Sequence, residues 1–216
     1  MPTSSAFRWS GTDNAVLRTV LLLAIGITGL VAVYQLLWIA ALVPARGGGH
    51  PTTIVVDRPG DIAAPVVDAR TAGDVGVAVD GNLTITFHQP DAVERLLLAT
   101  PGLLLAMAVL VALIAVLRIV GSLAQGDPFV APNVRRIYTV AGTVLGGALL
   151  VPTVAAFTRA ELQSRALDGH DLVLLRFTLD AGSPTLAALL VGMVLVALAE
   201  VFRRGTALRD DTAGLI

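Results

Sequence analysis

Four long apolar runs, separated by polar segments, dominate the pattern of hydrophobic and polar positions along the 216 residues. A helix needs about 20 apolar residues to cross roughly 30 Å of hydrocarbon, and each run is about that long. The runs cover residues 16–43, 102–123, 137–157 and 185–202. The first run is also longer than the apolar region of a secretory signal, so we expect it to be retained as a helix. The pattern predicts an α-helical integral membrane protein with four transmembrane helices.

The segment after the first run changes to short β-branched stretches. Residues 52–56, 75–79 and 83–87 are typical of strands, and Asp80-Gly81-Asn82 supplies the residues that a tight hairpin needs. Residues 171–180 in the third loop alternate between two faces, one of them wholly apolar. Because three or more strands with a buried face are needed for stability, we expect loops 1 and 3 to form one small extracytoplasmic β-sheet.

Arginine placement predicts the orientation of the spans. One side of the predicted membrane gathers its arginines close to helix ends, whereas the other side dilutes them over a long first loop. We therefore expect a multi-pass protein of the bacterial cell membrane with both termini cytoplasmic. The organisation is 1–43, cytoplasmic N-terminus and first helix; 44–95, extracytoplasmic β-rich loop; 96–157, second and third helices with a short cytoplasmic loop; 158–184, extracytoplasmic loop with a strand; and 185–216, fourth helix and cytoplasmic tail.

The amino-acid composition supports assignment to the membrane proteins and argues against several functional classes. Hydrophobic residues make up 55% of the chain, charged residues 14%, and the mean hydropathy is +0.80, whereas soluble proteins carry about 25% charged residues. The net charge of −1 does not favour direct nucleic-acid binding, and the absence of cysteine excludes disulfides and thiolate chemistry. No Walker loop, dinucleotide fingerprint, zinc-protease helix or nucleophile elbow is present. We expect no catalytic residues and no cofactor.

The three histidines lie in the predicted outer loops. His50, His88 and His170, with Asp91 close to His88, offer the ligand types that zinc prefers. No pair has the short spacing that prearranges a site, which favours three solvated loop histidines. We expect no metal site.

Ionisable residues avoid the middle of every span, and Arg118 and Glu200 enter a span near its cytoplasmic end. This argues against a proton relay or an ion path inside the bundle. Their depths are similar, so we predict that Glu200 is ion-paired with Arg118, or otherwise with Arg135, Arg136 or Arg204. The alternative is that Glu200 extends to water and pairs with no residue.

Small residues recur at four-residue spacing in the last two spans, as Gly142 and Gly146, and as Ala188 and Gly192. Such spacing lets helix backbones approach in lipid. We predict that Gly142 and Gly146 face another helix of the same chain, the alternative being a dimer face.

Two cytoplasmic stretches carry a recognisable pattern, Gly-Asp-Pro-Phe-Val-Ala-Pro-Asn-Val-Arg-Arg at 126–136 and Leu-Ala-Glu-Val-Phe-Arg-Arg-Gly-Thr-Ala-Leu-Arg-Asp-Asp at 198–211. With the four spans and the long first loop, the chain resembles the YoaS-like bacterial membrane proteins, catalogued as domain of unknown function 2975. The resemblance implies a four-helix membrane protein with no established activity, often encoded near a small helix-turn-helix regulator.

These two stretches face the same compartment and together predict a cytoplasmic platform that docks a protein partner. The alternative is that they only set topology and helix ends. The structural or interaction candidates are Arg118, Glu200, Phe129, Asn133, Arg135, Arg136, Gly142 and Gly146. We expect a non-enzymatic membrane protein, in contact with the lipid bilayer, that serves sensing or protein interaction; the alternative is a component of a transport or channel system.

Overall fold

The computed structural model describes residues 11–43, 52–56, 75–80, 82–123, 131–166 and 183–213. Long helices alternate with one region of short strands. The elements are α1 (Gly11–Ile39), β1 (Thr53–Val56), β2 (Val75–Asp80), β3 (Asn82–Phe87), α2 (Ala92–Leu123), α3 (Ala131–Ala166) and α4 (Pro184–Ala213).

Each of the four helices is long and apolar enough to cross a membrane. The candidate spans are Asn14–Ile39, Ala92–Ser122, Pro132–Ala166 and Pro184–Ala207, judged by their length and apolar composition. The prediction of a four-helix membrane protein is confirmed.

Helix α3 continues well past residue 157, where the third loop was predicted to begin. Residues 158–166 are helical, so the predicted loop of 158–184 is wrong over this part. Leu162 and Ala166, one turn apart, are both buried in a hydrophobic core. The burial of these two side chains stabilises the additional helical turns. Residues 158–166 are nevertheless too polar to be recognised from the sequence as part of an apolar run.

Helix α2 begins at a reciprocal pair of side-chain bonds. The Glu94 backbone N–H donates to Asp91 Oδ1 (2.6 Å), and the Asp91 N–H donates to Glu94 Oε2 (2.9 Å). This arrangement is a capping box, which satisfies backbone donors that a helix start leaves unpaired. The cap explains why α2 begins at residue 92, ahead of the apolar run.

The sheet is antiparallel, with strand order β1-β3-β2. Asp80 pairs with Asn82 across the predicted hairpin, and Ile54 pairs with Ile85 between β1 and β3. Ile54 and Ile85 are buried, as is Phe87, so this face of the sheet covers a core. The predicted extracytoplasmic strands of the first loop are confirmed as strands, whereas the third-loop strand lies outside the described residues.

The chain divides into two compact units. Unit 1 comprises residues 1–31, 106–148 and 180–216, and unit 2 comprises residues 32–105 and 149–179. In unit 2, the sheet residues pack with Trp38, Leu98, Ala99, Leu162 and Ala166. Among the residues of unit 1 that the structure describes, the buried apolar ones are mostly small: Leu21, Ala106, Ala115, Val120, Ile137, Val140, Ala141, Ala148 and Ala199.

Candidate functional site

A buried polar network joins the end of α2 to the beginning of α3 in unit 1. Asn133, only 1% exposed, accepts hydrogen bonds at Oδ1 from Ser122 Oγ (2.9 Å) and from Arg136 Nη1 (2.9 Å). Arg136 Nη1 also donates to the backbone carbonyl of Arg118 (2.9 Å). One guanidinium group therefore holds both helix ends, with a buried amide oxygen at the centre.

Three of the predicted candidates meet in this network, although not all through their side chains. Arg136 lies one helical turn from Asn133, so their spacing already places them on one face of α3. Arg118 contributes its carbonyl, while its side chain is exposed. Arg135 is also exposed, and its side chain has no hydrogen bond or ion pair within the described residues.

Glu200 is the centre of a second cluster in unit 1. Its Oε2 accepts from Arg203 Nε (2.7 Å), and its Oε1 accepts from Arg203 Nη2 (2.7 Å) and from Arg204 Nε (2.9 Å). Tyr138 on α3 donates its hydroxyl to Glu200 Oε2 (3.3 Å). The carboxylate thus orients two arginines of its own helix and tethers α4 to α3.

The prediction that Glu200 pairs with Arg118 is wrong, whereas Arg204, one of the alternatives, is a partner. Arg203 and Arg204 stand three and four residues after Glu200, a spacing that brings side chains together on any helix. Similar depth in a membrane says nothing about which way a side chain points around its helix. The local pairs therefore form without any approach between helices α2 and α4.

The prediction that Gly142 and Gly146 face another helix is also wrong. A Cβ atom added at either position would meet nothing within 4 Å. At Gly192, in contrast, it would lie 2.5 Å from Leu145 Cδ2 and 2.6 Å from Leu145 Cγ. The close approach of α4 to α3 is therefore at Gly192, which the same small-residue spacing had marked.

Sequence reasoning missed a cluster in unit 2 around Arg95. Its guanidinium carbon lies 5.7 Å from the centroid of the Trp38 ring, and Nη1 donates to the carbonyls of Trp38 (3.3 Å) and Val43 (3.5 Å). Nε donates to the Pro90 carbonyl (2.9 Å). Arg95 therefore ties the end of α1 to the start of α2, and no sequence motif marks these partners.

Several candidates are not part of these clusters. Phe129, His50 and His170 lie outside the described residues, and His88 is exposed. In the described part of the chain, no group of three or more histidine, aspartate or glutamate side chains is arranged to hold a metal ion.

The chain matches one protein-family model, described as a protein of unknown function (DUF2975), over residues 84–216. This match covers more than half of the chain and includes both stretches that carry the resemblance. The chain therefore belongs to the DUF2975 family, as the resemblance implied. No match was found among the curated proteins or among the solved structures.

Proposed function

We propose that this member of the DUF2975 family is a non-enzymatic protein of the bacterial cell membrane that acts through protein interaction. Within the predicted cytoplasmic platform, the part that docks the partner is the pair of helix ends joined by Asn133, which we call the Asn133 platform. The sheet-bearing first loop senses conditions outside the cell. Both termini are then cytoplasmic.

The distribution of charged residues between the two units supports this orientation. The sequence of unit 1 has eight arginines and six acidic residues, whereas that of unit 2 has seven arginines and ten acidic residues. Arginine accumulates at the cytoplasmic ends of membrane helices. The excess of arginine over acidic residues in unit 1 therefore supports a cytoplasmic position for its arginine-bearing helix ends.

The observation that carries the proposal is the Asn133 network. A buried amide oxygen that accepts two hydrogen bonds holds the ends of α2 and α3 in one arrangement. A rigid surface loses less conformational freedom when a partner binds, so more of the interaction energy appears as affinity. Arg135 lies on α3 within this platform, exposed and available to an acidic partner.

The middle of the spans favours interaction over transport. Residues 19–39, 96–117, 137–158 and 184–199 contain no Asp, Glu, Arg, Lys or His. Pathways for ions, protons or charged substrates usually carry such residues inside the membrane. The ionisable side chains instead lie towards the helix ends, where a protein partner reaches them.

The sheet supports the sensing part of the proposal. Ile54, Ile85 and Phe87 pack on the same core as Trp38, and Arg95 joins Trp38 to the start of α2. A change in the conformation of the sheet would therefore alter the packing at the end of α1 and the start of α2, both within unit 2.

Site-specific photo-cross-linking in native membranes tests the platform. A benzophenone amino acid at Arg135 is expected to give a discrete protein adduct, and the same group at exposed Val93 in unit 2 is the matched control. Adding Asn133→Ala should reduce the Arg135 adduct several-fold, because the platform loses its central hydrogen bonds.

The proposal is rejected if Arg135 gives no protein adduct, or if its adduct is unchanged by Asn133→Ala. The orientation has its own test, since cysteine introduced at Gly81 should react with an impermeant reagent in intact cells. Reaction only after permeabilisation would reverse the proposed topology.

A further inference from the structure

One end of α4 combines exposed arginines with an exposed apolar stripe. Leu190, Met193 and Val201 are 51%, 55% and 63% exposed, and they follow one another at helical spacing towards Arg204. The Arg204 side chain is 76% exposed, and that of Arg203 is 63% exposed. The stripe and Arg204 are thus successive parts of one helix surface, and Arg203 lies beside it on the adjacent face of α4.

Glu200 orients both guanidinium groups. Arg203 uses Nε and Nη2 to grip the carboxylate, and Arg204 uses only Nε. Both Nη groups of Arg204 are without an acceptor among the described residues. The Nη1 and Nη2 groups of Arg204 therefore present parallel N–H donors, which suit the oxygens of a phosphate group, and Arg203 adds the N–H groups that Glu200 does not occupy.

Helix α3 adds a matching exposed surface beside this cluster. Tyr138, whose hydroxyl donates to Glu200, is 38% exposed. Gly142 is one turn further and open to its surroundings. Tyrosine favours the boundary between headgroups and acyl chains, so Tyr138 marks the depth at which a headgroup would lie.

We propose that Arg203 and Arg204 bind the headgroup phosphate of an anionic phospholipid whose acyl chain lies along the Leu190–Met193–Val201 stripe. The order of the parts is that of a lipid in a leaflet, with the charged group at the helix end and the apolar stripe directed to the membrane interior. This site uses residues distinct from the Asn133 platform. Lipid binding at Arg203 and Arg204 can therefore be confirmed or rejected independently of the proposed protein interaction.

Charge complementarity identifies the occupant. Among the described side chains at this end of α4, the two arginines outnumber the one carboxylate that they share, so the cluster attracts an anion. An acidic peptide would satisfy the arginines but would leave the apolar stripe without a complementary surface. A phospholipid satisfies both.

Lipid binding to the purified full chain tests the site, measured by native mass spectrometry with dioleoyl phosphatidylglycerol and dioleoyl phosphatidylcholine at equal concentration. Attraction of anionic lipid by arginine at a membrane surface corresponds to roughly five-fold per arginine. We expect a clear preference for phosphatidylglycerol that falls at least five-fold in the Arg203→Gln, Arg204→Gln double variant.

The matched control is the Arg159→Gln, Arg165→Gln double variant. Arg165 pairs with Glu161 at the same i,i+4 spacing as Arg204 with Glu200, so this variant also removes two arginines and one such ion pair. It should keep the preference. Soluble glycerol phosphate should not displace the lipid, because it lacks the acyl chain.

The proposal is overturned by an equal affinity of the wild-type chain for the two lipids, which requires no variant at all. It is also overturned if the preference survives in the Arg203→Gln, Arg204→Gln variant, if the control variant loses it equally, or if glycerol phosphate displaces the lipid at equal concentration. Should the double variant fail to fold, Arg204→Gln alone, at the more exposed position, should still lower the preference.

Discussion

The two units of the chain are stabilised by different kinds of interior. Among the largest fully buried side chains, Trp38, Phe87, Ile85 and Leu162 all belong to unit 2, and Asn133 belongs to unit 1. Unit 2 buries large apolar groups beneath a sheet. Unit 1 packs small residues and holds its helix ends with hydrogen bonds.

This contrast follows from what each unit has available. A sheet face in unit 2 brings apolar side chains together, and their burial removes apolar surface from water. Lipid tails are as apolar as the helices themselves, so between membrane helices close packing and hydrogen bonds carry the association. We therefore expect unit 2 to be sensitive to loss of volume, and unit 1 to be sensitive to added volume and to lost polar partners.

The largest effect is expected from Trp38→Ala in unit 2. Removing a fully buried large aromatic side chain costs about 3–5 kcal/mol, and here the ring also lies beneath the Arg95 guanidinium. Thermal unfolding in detergent should show the loss. Leu37→Ala, at a neighbouring position that is 39% exposed, is the control, and an equal loss from both would contradict the described core.

In unit 1, Asn133→Ala should destabilise by about 1–3 kcal/mol, because two hydrogen bonds of roughly 0.5–1.5 kcal/mol each are lost. Ser122 and Arg136 keep backbone acceptors, the carbonyls of Ile119 and Arg118. The double variant with Arg136→Ala should lose less than the sum of the single losses, since both disrupt one network. Unfolding of the four proteins gives this coupling. Strict additivity would show that the network does not hold the helix ends.

Gly192 and Gly142 of unit 1 should respond differently to replacement by a larger side chain. Gly192→Leu should destabilise by about 1–3 kcal/mol, since even the first carbon of the new side chain would collide with Leu145. Gly142→Leu should leave the melting temperature nearly unchanged, because that position is open. If Gly142→Leu lowered the melting temperature more than Gly192→Leu, Gly142 rather than Gly192 would be the position at which another helix packs closely.

The smallest effect is expected at the end of α1 in unit 2. Ala41 has φ of 59°, and the bonds Ala41 N–H to Trp38 carbonyl and Leu42 N–H to Leu37 carbonyl form a Schellman motif. Glycine adopts this backbone without the steric penalty of a Cβ, so Ala41→Gly should stabilise by up to about 1 kcal/mol. Ala40→Gly, at the preceding residue, is the control and should not raise the melting temperature.

Features governed by neighbouring residues could be predicted from the sequence alone. The lengths of the apolar runs predicted four membrane helices, and Asp80-Gly81-Asn82 predicted the hairpin that pairs β2 with β3. The turn spacing of Asn133 and Arg136 put them on one face of α3. In each case the decisive contacts are close in sequence, so backbone geometry is sufficient.

Contacts between distant segments were decided only by the tertiary structure. The tether from Arg95 to Trp38, the approach of Gly192 to Leu145 and the bond from Tyr138 to Glu200 each join different helices. The physical reason is that a membrane span is apolar on nearly every face, so it lacks the amphipathic pattern that shows which face of a soluble helix is buried. The rotation of each helix, and with it the choice between Gly142 and Gly192, is settled by packing.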